Sequence, residues 1–411
     1  MKFSELALNP VILKAVAELK YEEATPVQEQ TIPFAIKGRD VIVSAQTGTG
    51  KTAAFALPII NKLFARQDAV KGGKQIQALV ISPTRELAEQ IYENFTTYAK
   101  YTNLRCAVVY GGMSIEPQKD KLNKGVDILI ATPGRLLDLY KQNIARITNV
   151  DTLVLDEADM LLDMGFIDDV LKIEKICLPF KQTLLFSATM PIKVKQLASK
   201  ILKVPETIDV VRTATVAKTV NQVLYYVPIK KKMELCLHLL RNTIKGNIVI
   251  FRRTKFGVDK LEQVLLKNNY KVGTIHGDKS QNLRQAALDE FKDGKVNILI
   301  STDVAARGID IENLDGVINF DLPNIPEAYV HRIGRTGRAG NEGIAYSFCS
   351  ADERNYVTSI QKLIQTIIKV EENHPYPLDP EEKAVIHKKQ GSKYKKGRKS
   401  VASKKKKKRW Y

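Results

Sequence analysis

Residues 40–60 read DVIVSAQTGTGKTAAFALPII, and their order is what the fold hangs on. An apolar run of strand character enters the segment AQTGTGKT, and a helix-prone run, AAFALPII, follows it. Gly48 and Gly50 let the backbone curl until its N–H groups face an anion, and the following helix adds the positive end of its dipole. Strand, loop and helix in this order make a phosphate-binding loop of Ala45, Gln46, Thr47, Gly48, Thr49 and Gly50, with Lys51 placed to reach the β and γ phosphates of a nucleotide and Thr52 to coordinate magnesium. Ala45 stands where the strictest form of the pattern has glycine, a departure its small size tolerates.

Outward from this loop, short runs rich in Val, Ile and Leu recur to about residue 350: ALVISP, CAVVYG, DILIAT, TLVLDE and TLLFSA, then NIVIFR, NILIST, GVINFD and IAYSFC. Most alternate with amphipathic helical stretches such as 86–100 and 258–268. Continuous apolar strands separated by helices predict an α/β protein, its parallel sheets covered on both faces. The pattern pauses over 206–218, a polar, Thr-rich segment read as a linker between domains at 1–205 and 219–369. From residue 370 a Pro-rich, acidic break leads into a lysine-rich remainder, and 370–411 is expected to be a disordered tail. A length of 411 residues suits two such domains.

Of the net charge of +19, fourteen positive charges lie between Lys383 and the end, where no acid occurs, leaving +5 for residues 1–382. The tail is thus a polycation that favours polyanionic partners. Four cysteines without paired spacing suggest neither a zinc site nor a disulfide framework. No run of about 18 apolar residues occurs, so a soluble, cytoplasmic protein without a membrane partner is expected.

The stretch 153–166, LVLDEADMLLDMGF, sets carboxylates at the end of an apolar strand. A magnesium ion bound to phosphates needs a carboxylate opposite, which is Asp156, and Glu157 is then placed to orient and deprotonate a water. The letters DEAD at 156–159, with the loop above, resemble the DEAD-box ATP-dependent RNA helicases, and the resemblance runs to about residue 365. It implies two tandem RecA-like domains that hydrolyse ATP with magnesium in the cleft between them. ATPVQEQ at 24–30 resembles the adenine-recognising motif of that family: Gln28 is expected to read the adenine edge, Tyr21 to stack on its face and Phe3 to support both. Lys20 and Ala24 stand where many members carry Gly and Pro. PTRELA (83–88), the glycine pair 111–112 and TPGR (132–135) match motifs that contact RNA, as do FRRTK (251–255), the pair Gln281 and Arg284, and STDVAARGIDI (301–311). The implied RNA contacts are Thr84, Arg85, Gly112, Thr132, Arg135, Arg284 and Thr302. They are directed at phosphates rather than base edges, so binding should be sequence-independent and salt-sensitive.

SAT at 187–189 matches the motif that couples the nucleotide site to closure, through the Ser187 and Thr189 hydroxyls and Asp159. In HRIGRTGR (331–338), Arg335 and Arg338 would act as arginine fingers reaching the nucleotide only when the cleft closes. His331 reads either as an interdomain contact or as a packed core residue. Asp310 is similar to the family's ribose contact, and Asp303 could equally be a strand-end cap. HGDKSQNLR (276–284) and the basic tail look most like the bacterial RhlE-type subgroup, which leans toward ribosomal RNA or pre-ribosomal particles as partners. The core should act as a monomer. Tyr394, Trp410 and Tyr411, interleaved with the basic residues, could stack on bases, or the tail could be a generic attractant. Two other readings stay open: an RNA chaperone dominated by the tail, and an ATP-dependent RNA clamp.

Overall fold

The computed structural model describes the chain except for residues 46–47, 67–74, 211–219, 307–313, 338–342, 380 and 383–411, and the side chains of Gln281, Val304 and Ala306. Two seven-stranded sheets, parallel throughout, lie in series. The first holds β1 (Val41–Ser44), β2 (Ala78–Ile81), β3 (Cys106–Val109), β4 (Ile128–Ala131), β5 (Thr152–Leu155), β6 (Gln182–Ser187) and β7 (Glu206–Asp209), in the order β3-β4-β2-β5-β6-β1-β7. The second holds β8 (Val220–Tyr226), β9 (Ile248–Arg252), β10 (Val272–Ile275), β11 (Ile298–Thr302), β12 (Gly316–Asn319), β13 (Gly343–Cys349) and β14 (Lys369–Val370), in the order β10-β11-β9-β12-β13-β8-β14. Adding seven to each strand number of the first sheet gives the second, so the two halves share one topology.

The period-two alternation of a strand explains why its apolar runs are continuous. In the first unit Val43, Val80 and Val154 point into one core, while Leu79, Leu129 and Leu153 point into the other. Helices cover both faces, so neither alternate set meets water. Four helices matter most below: α1 (Pro10–Glu18), α2 (Pro26–Ile36), α3 (Lys51–Arg66) and α4 (Arg85–Tyr98). The first three pack with α4 on the core face that contains Phe55 and Phe95.

Two expected boundaries move. Glu206–Asp209, read as the start of the linker, pairs in register with β1, and the Val210 N–H donates to the Ser44 carbonyl. The first unit therefore runs past 205. These residues escape notice because an edge strand with one buried side chain needs no apolar run. At the other end, Val370 pairs with Leu224 in β8, and residues beyond it stay packed. The Leu378 N–H donates to the Tyr226 carbonyl, Leu378 is buried, and the His374 ring meets Tyr225 edge-on at 5.4 Å. Described residues of the segment read as tail are thus part of the second unit as far as Asp379, while the polycation itself lies outside the described residues. Among the described residues no helix is long and apolar enough to cross a membrane.

Candidate functional site

The C-terminal ends of the parallel strands form the crevice where such folds place their sites. At the end of β1, Gly48 and Gly50 take φ +84° and +90°, and α3 starts at once with Lys51. A side chain on Gly50 is excluded twice over: L residues avoid that φ, and a Cβ would lie 2.3 Å from Gln28 Nε2. Gln28 donates to the Gly50 carbonyl at 3.1 Å and accepts from the Thr25 N–H at 2.9 Å. The glutamine expected to read adenine therefore also ties α2 to the phosphate loop.

At the end of β5 the chain turns sharply. Glu157 sits at φ 49°, ψ 56°, a left-handed conformation that non-glycine residues rarely hold and that recurs at functional sites. The turn brings the Glu157 carboxylate to 2.6 Å from Lys51 Nζ, both side chains being buried. Burial works against the charge on Lys51, but Glu157 and Asp156 outweigh it and raise its proton affinity above the usual lysine value. Asp156 is 2 % exposed, and burial pushes its carboxyl up to about 7 despite the opposing charge of Lys51 and the Glu157 N–H at 3.0 Å. A carboxylate so short of compensation suits a hard cation, and with Thr52 in the first turn of α3 the donor set fits magnesium, which takes one or two protein oxygens beside phosphate.

Tyr21 stacks on Phe3 with ring centroids 6.2 Å apart and planes at 26°. Lys20, in the place where many relatives of the motif carry glycine, takes φ +59°, the conformation glycine adopts freely. Tyr21, Gln28, Gly48, Gly50, Lys51, Thr52, Asp156 and Glu157 line one cavity of about 480 Å³. A second cavity of about 510 Å³ lies between the units. Glu157, Asp159 and Thr189 line it from the first, and His331 and the buried Arg335 from the second. His331 is half-buried there, on the interdomain side of its two alternatives.

The coupling residues meet. Asp159 Oδ2 accepts from both the Thr189 hydroxyl (2.7 Å) and its N–H (2.9 Å), while the Ser187 hydroxyl accepts from the Asp159 N–H and donates to the Thr189 carbonyl. Ser187 thus acts on the Asp159 backbone rather than on its carboxylate.

A third cavity, of about 310 Å³, gathers Thr84, Arg85, Thr132 and Arg135 from the first unit with Gly277 and Arg284 from the second. The Thr84 hydroxyl accepts from the Leu87 N–H, capping α4. Gly112, at φ +77°, lies directly beneath the Arg85 guanidinium. Arg284 pairs across the units with Glu86 at 2.7 Å, and its Nε, like Nη1 of Arg135, is buried without a partner among the described residues. Thr302 ends β11 outside the lining of this cavity.

Two residues were missed. Glu86 had passed as part of PTRELA, and only the approach of the second unit reveals its partner. Arg332 is 2 % exposed and grips both Asp303 oxygens (2.5 and 2.8 Å), Asn319 and the Asp321 carbonyl, so Asp303 is an ion-pair partner rather than a strand-end cap. Its position inside HRIGRTGR was the available signal. Gln46, Thr47, Asp310 and Arg338 lie outside the described residues.

The family model for DEAD/DEAH box helicases matches residues 25–197, and the helicase conserved C-terminal domain matches 231–340. The chain belongs to the DEAD-box helicases. Among curated DEAD-box relatives, the ATP-dependent RNA helicase CshA of Limosilactobacillus reuteri is 44% identical over 365 residues, covering 88% of this chain and 72% of its own. The CshA of Listeria monocytogenes is 43% identical over 361 residues, covering 88% and 68%. These relatives bear the CshA name, and the RhlE-type placement finds no counterpart in them. Among solved DEAD-box structures, Mss116p bound to ssRNA and AMP-PNP superposes with a TM-score of 0.82 at 31% identity, covering 91% of this chain and 80% of that one. Saccharomyces cerevisiae Dbp5 bound to RNA and ADP BeF3 gives 0.79 at 29% identity, covering 90% and 95%. Their likeness matches the two tandem RecA-like units expected.

Proposed function

We propose that this DEAD-box helicase is an ATP-dependent RNA helicase that hydrolyses ATP in the cleft between its RecA-like units when RNA brings them together, and that it opens short duplexes locally. The observation that carries this reading is the convergence of Lys51 and Glu157 from the first unit with Arg335 from the second, beside the Asp159–Thr189 contact. The likeness to neighbours bound to RNA and a nucleotide analogue supports it, because it extends over both units at once.

In this mechanism the phosphate loop and Lys51 hold the triphosphate, Gln28 and Tyr21 the base. Asp156 and Thr52, together with the phosphates, would hold magnesium, which would supply charge neutralisation on the transferring group. Lys51 and Glu157 neutralise each other as a buried ion pair. Phosphate draws Lys51 away, and the freed Glu157 carboxylate orients the attacking water and accepts its proton. Arg335 adds a cation from the second unit, so the rate depends on closure. On the RNA side, Arg85, Arg135 and Arg284, with Thr84, Thr132, Gly112 and Thr302, meet the phosphate backbone. Such a surface is indifferent to sequence and suits structured RNAs, ribosomal RNA included. Free cysteines throughout the described residues accord with a reducing cytoplasm.

The test is steady-state ATP hydrolysis with magnesium, alone and with single-stranded RNA or DNA of matched length, on the full chain and on residues 1–382. RNA stimulation in both is expected. Absence of hydrolysis under every condition would overturn the reading in favour of a chaperone that acts through its tail.

A further inference from the structure

The loop that carries Gly112 leaves the C-terminal end of β3 and enters a short helix, α5 (Glu116–Asn123). β3 ends its sheet, with β4 as its one neighbouring strand among the described residues. Tyr110, the first residue past β3, therefore needs partners for its backbone from elsewhere. Gln118 on α5, only 8 % exposed, supplies them. Its Oε1 accepts from the Tyr110 N–H at 3.1 Å, and its Nε2 donates to the Tyr110 carbonyl at 3.2 Å and to the Ser114 carbonyl at 3.1 Å. One side chain thus pins both ends of the loop 110–114. A primary amide can do so because one planar group carries an acceptor and two donors.

Between the pinned ends lies the backbone on which the RNA-facing arginines rest. Residues 111–114 form neither helix nor strand, and Gly112, Met113 and Ser114 are exposed, so neither a sheet nor a core holds them. Gly111 lines the cleft with Arg85, Thr132 and Arg135. Gly112 lies beneath the Arg85 guanidinium, and the Met113 carbonyl accepts from Arg135 Nη2 at 2.9 Å. The place of the loop thereby sets the place of both guanidinium groups. We infer that Gln118 is a positioning residue for the RNA contacts, acting through the backbone of 110–114 on Arg85 and Arg135. Gln118 itself stands outside the lining of the cleft. The inference rests on the assignment of that cleft to RNA.

The test replaces Gln118 by Met in the full chain, which keeps the length of the side chain and removes all three bonds. The concentration of a single-stranded RNA oligonucleotide that half-saturates ATP hydrolysis is measured, ADP affinity is measured separately, and hydrogen exchange over 110–114 is followed without RNA. The expected result is a half-saturating RNA concentration raised roughly three- to thirtyfold, because the loop loses its net hydrogen bonds and binding weakens by the fraction of molecules in which it is displaced. ADP affinity stays unchanged, and exchange over 110–114 accelerates. Gln118→Glu keeps the bond from the Tyr110 N–H and loses both donated ones; it should show the same pattern, and it carries the test if Gln118→Met does not fold. Unchanged half-saturation in a folded variant overturns the inference. So does an equal fall in ADP affinity, which would mean a general disturbance of the first unit, and so does weaker RNA binding with unaltered exchange, which would mean that the loop had not moved. Wild-type protein that binds no RNA would instead overturn the assignment of the cleft, and this inference with it.

Discussion

Replacing Gly112 by Ala should damage RNA binding while sparing the fold. Gly112 holds φ +77°, which costs an alanine about 1–2 kcal/mol. A Cβ there would lie 1.9 Å from Arg85 Nη2, 2.3 Å from Cζ and 2.4 Å from Nη1. Carbon and nitrogen need roughly 3.5 Å, so the guanidinium must retreat by about 1.5 Å. It can do so because it is the end of a flexible side chain, which is why function should suffer more than stability. A charge-assisted hydrogen bond of about 2.8 Å does not survive such a shift. Losing one is worth roughly 1.5–3 kcal/mol, or about 10- to 150-fold in the RNA concentration that half-saturates ATP hydrolysis. One phosphate contact fewer should also flatten the logarithmic salt dependence by about 0.7 for a single strand. The assay is RNA-stimulated ATPase over a range of RNA concentrations at low and moderate salt, with Arg85→Ala and the double variant alongside. If Gly112 acts through Arg85, the double variant is no worse than Arg85→Ala. Unchanged half-saturation and salt slope with a lowered melting temperature would refute the reasoning and leave the glycine as a turn residue only.

Glu157→Gln should keep nucleotide and RNA binding and lower turnover by about 10²–10⁴-fold; near-normal turnover in single-turnover kinetics would remove Glu157 from its role. Glu86→Ala leaves the Arg284 guanidinium uncompensated between the units. Breaking a buried pair costs about 3–5 kcal/mol, and even a third of that should lower the closed population with RNA and a non-hydrolysable ATP analogue by about tenfold, read as energy transfer between dyes on the two units; an unaltered closed fraction counts against the pair as a latch. Lys20→Gly should raise stability by about 1 kcal/mol by relieving the positive φ, measured by denaturant melting, and a loss of stability would show that the lysine side chain contributes more than its backbone costs. Burial, with His238 nearby, lowers the proton affinity of His374 below the usual imidazole value of 6.5, while Glu371 opposes them. Below pH 6.5 the unpacked segment takes up a proton that the packed one resists, so the packing of 371–378 weakens as pH falls. Protection factors there, corrected for the intrinsic exchange rate at each pH, should fall between pH 7.5 and 5.5 in the wild type and not in His374→Phe, and equal protection at both pH values in the wild type would contradict this.

Much of this protein was decided within short stretches of its sequence. A phosphate loop works because glycines, a lysine and a helix start follow one another directly, so its chemistry is written contiguously at 45–52. Buried parallel strands are equally legible, since covering both faces demands unbroken apolar runs such as ALVI and ILIA. The missed strands show the limit. β7 and β14 are polar edge strands, β8 sets Asn221 and Gln222 among its apolar residues, and β10 carries a glycine, so none reads as an unbroken apolar run, and pairing with neighbouring strands reveals them.

What only the tertiary structure decided are pairings between residues far apart in the chain. That Arg284 pairs with Glu86, and whether Asp303 caps a strand or clamps Arg332, depend on which surfaces are brought together. The sequence alone named the loop that takes the phosphates and the carboxylates that face it. Burial and the approach of the second unit determined the partners and ionisation of those groups, because desolvation and close charge pairing arise only when distant segments exclude water from the same place.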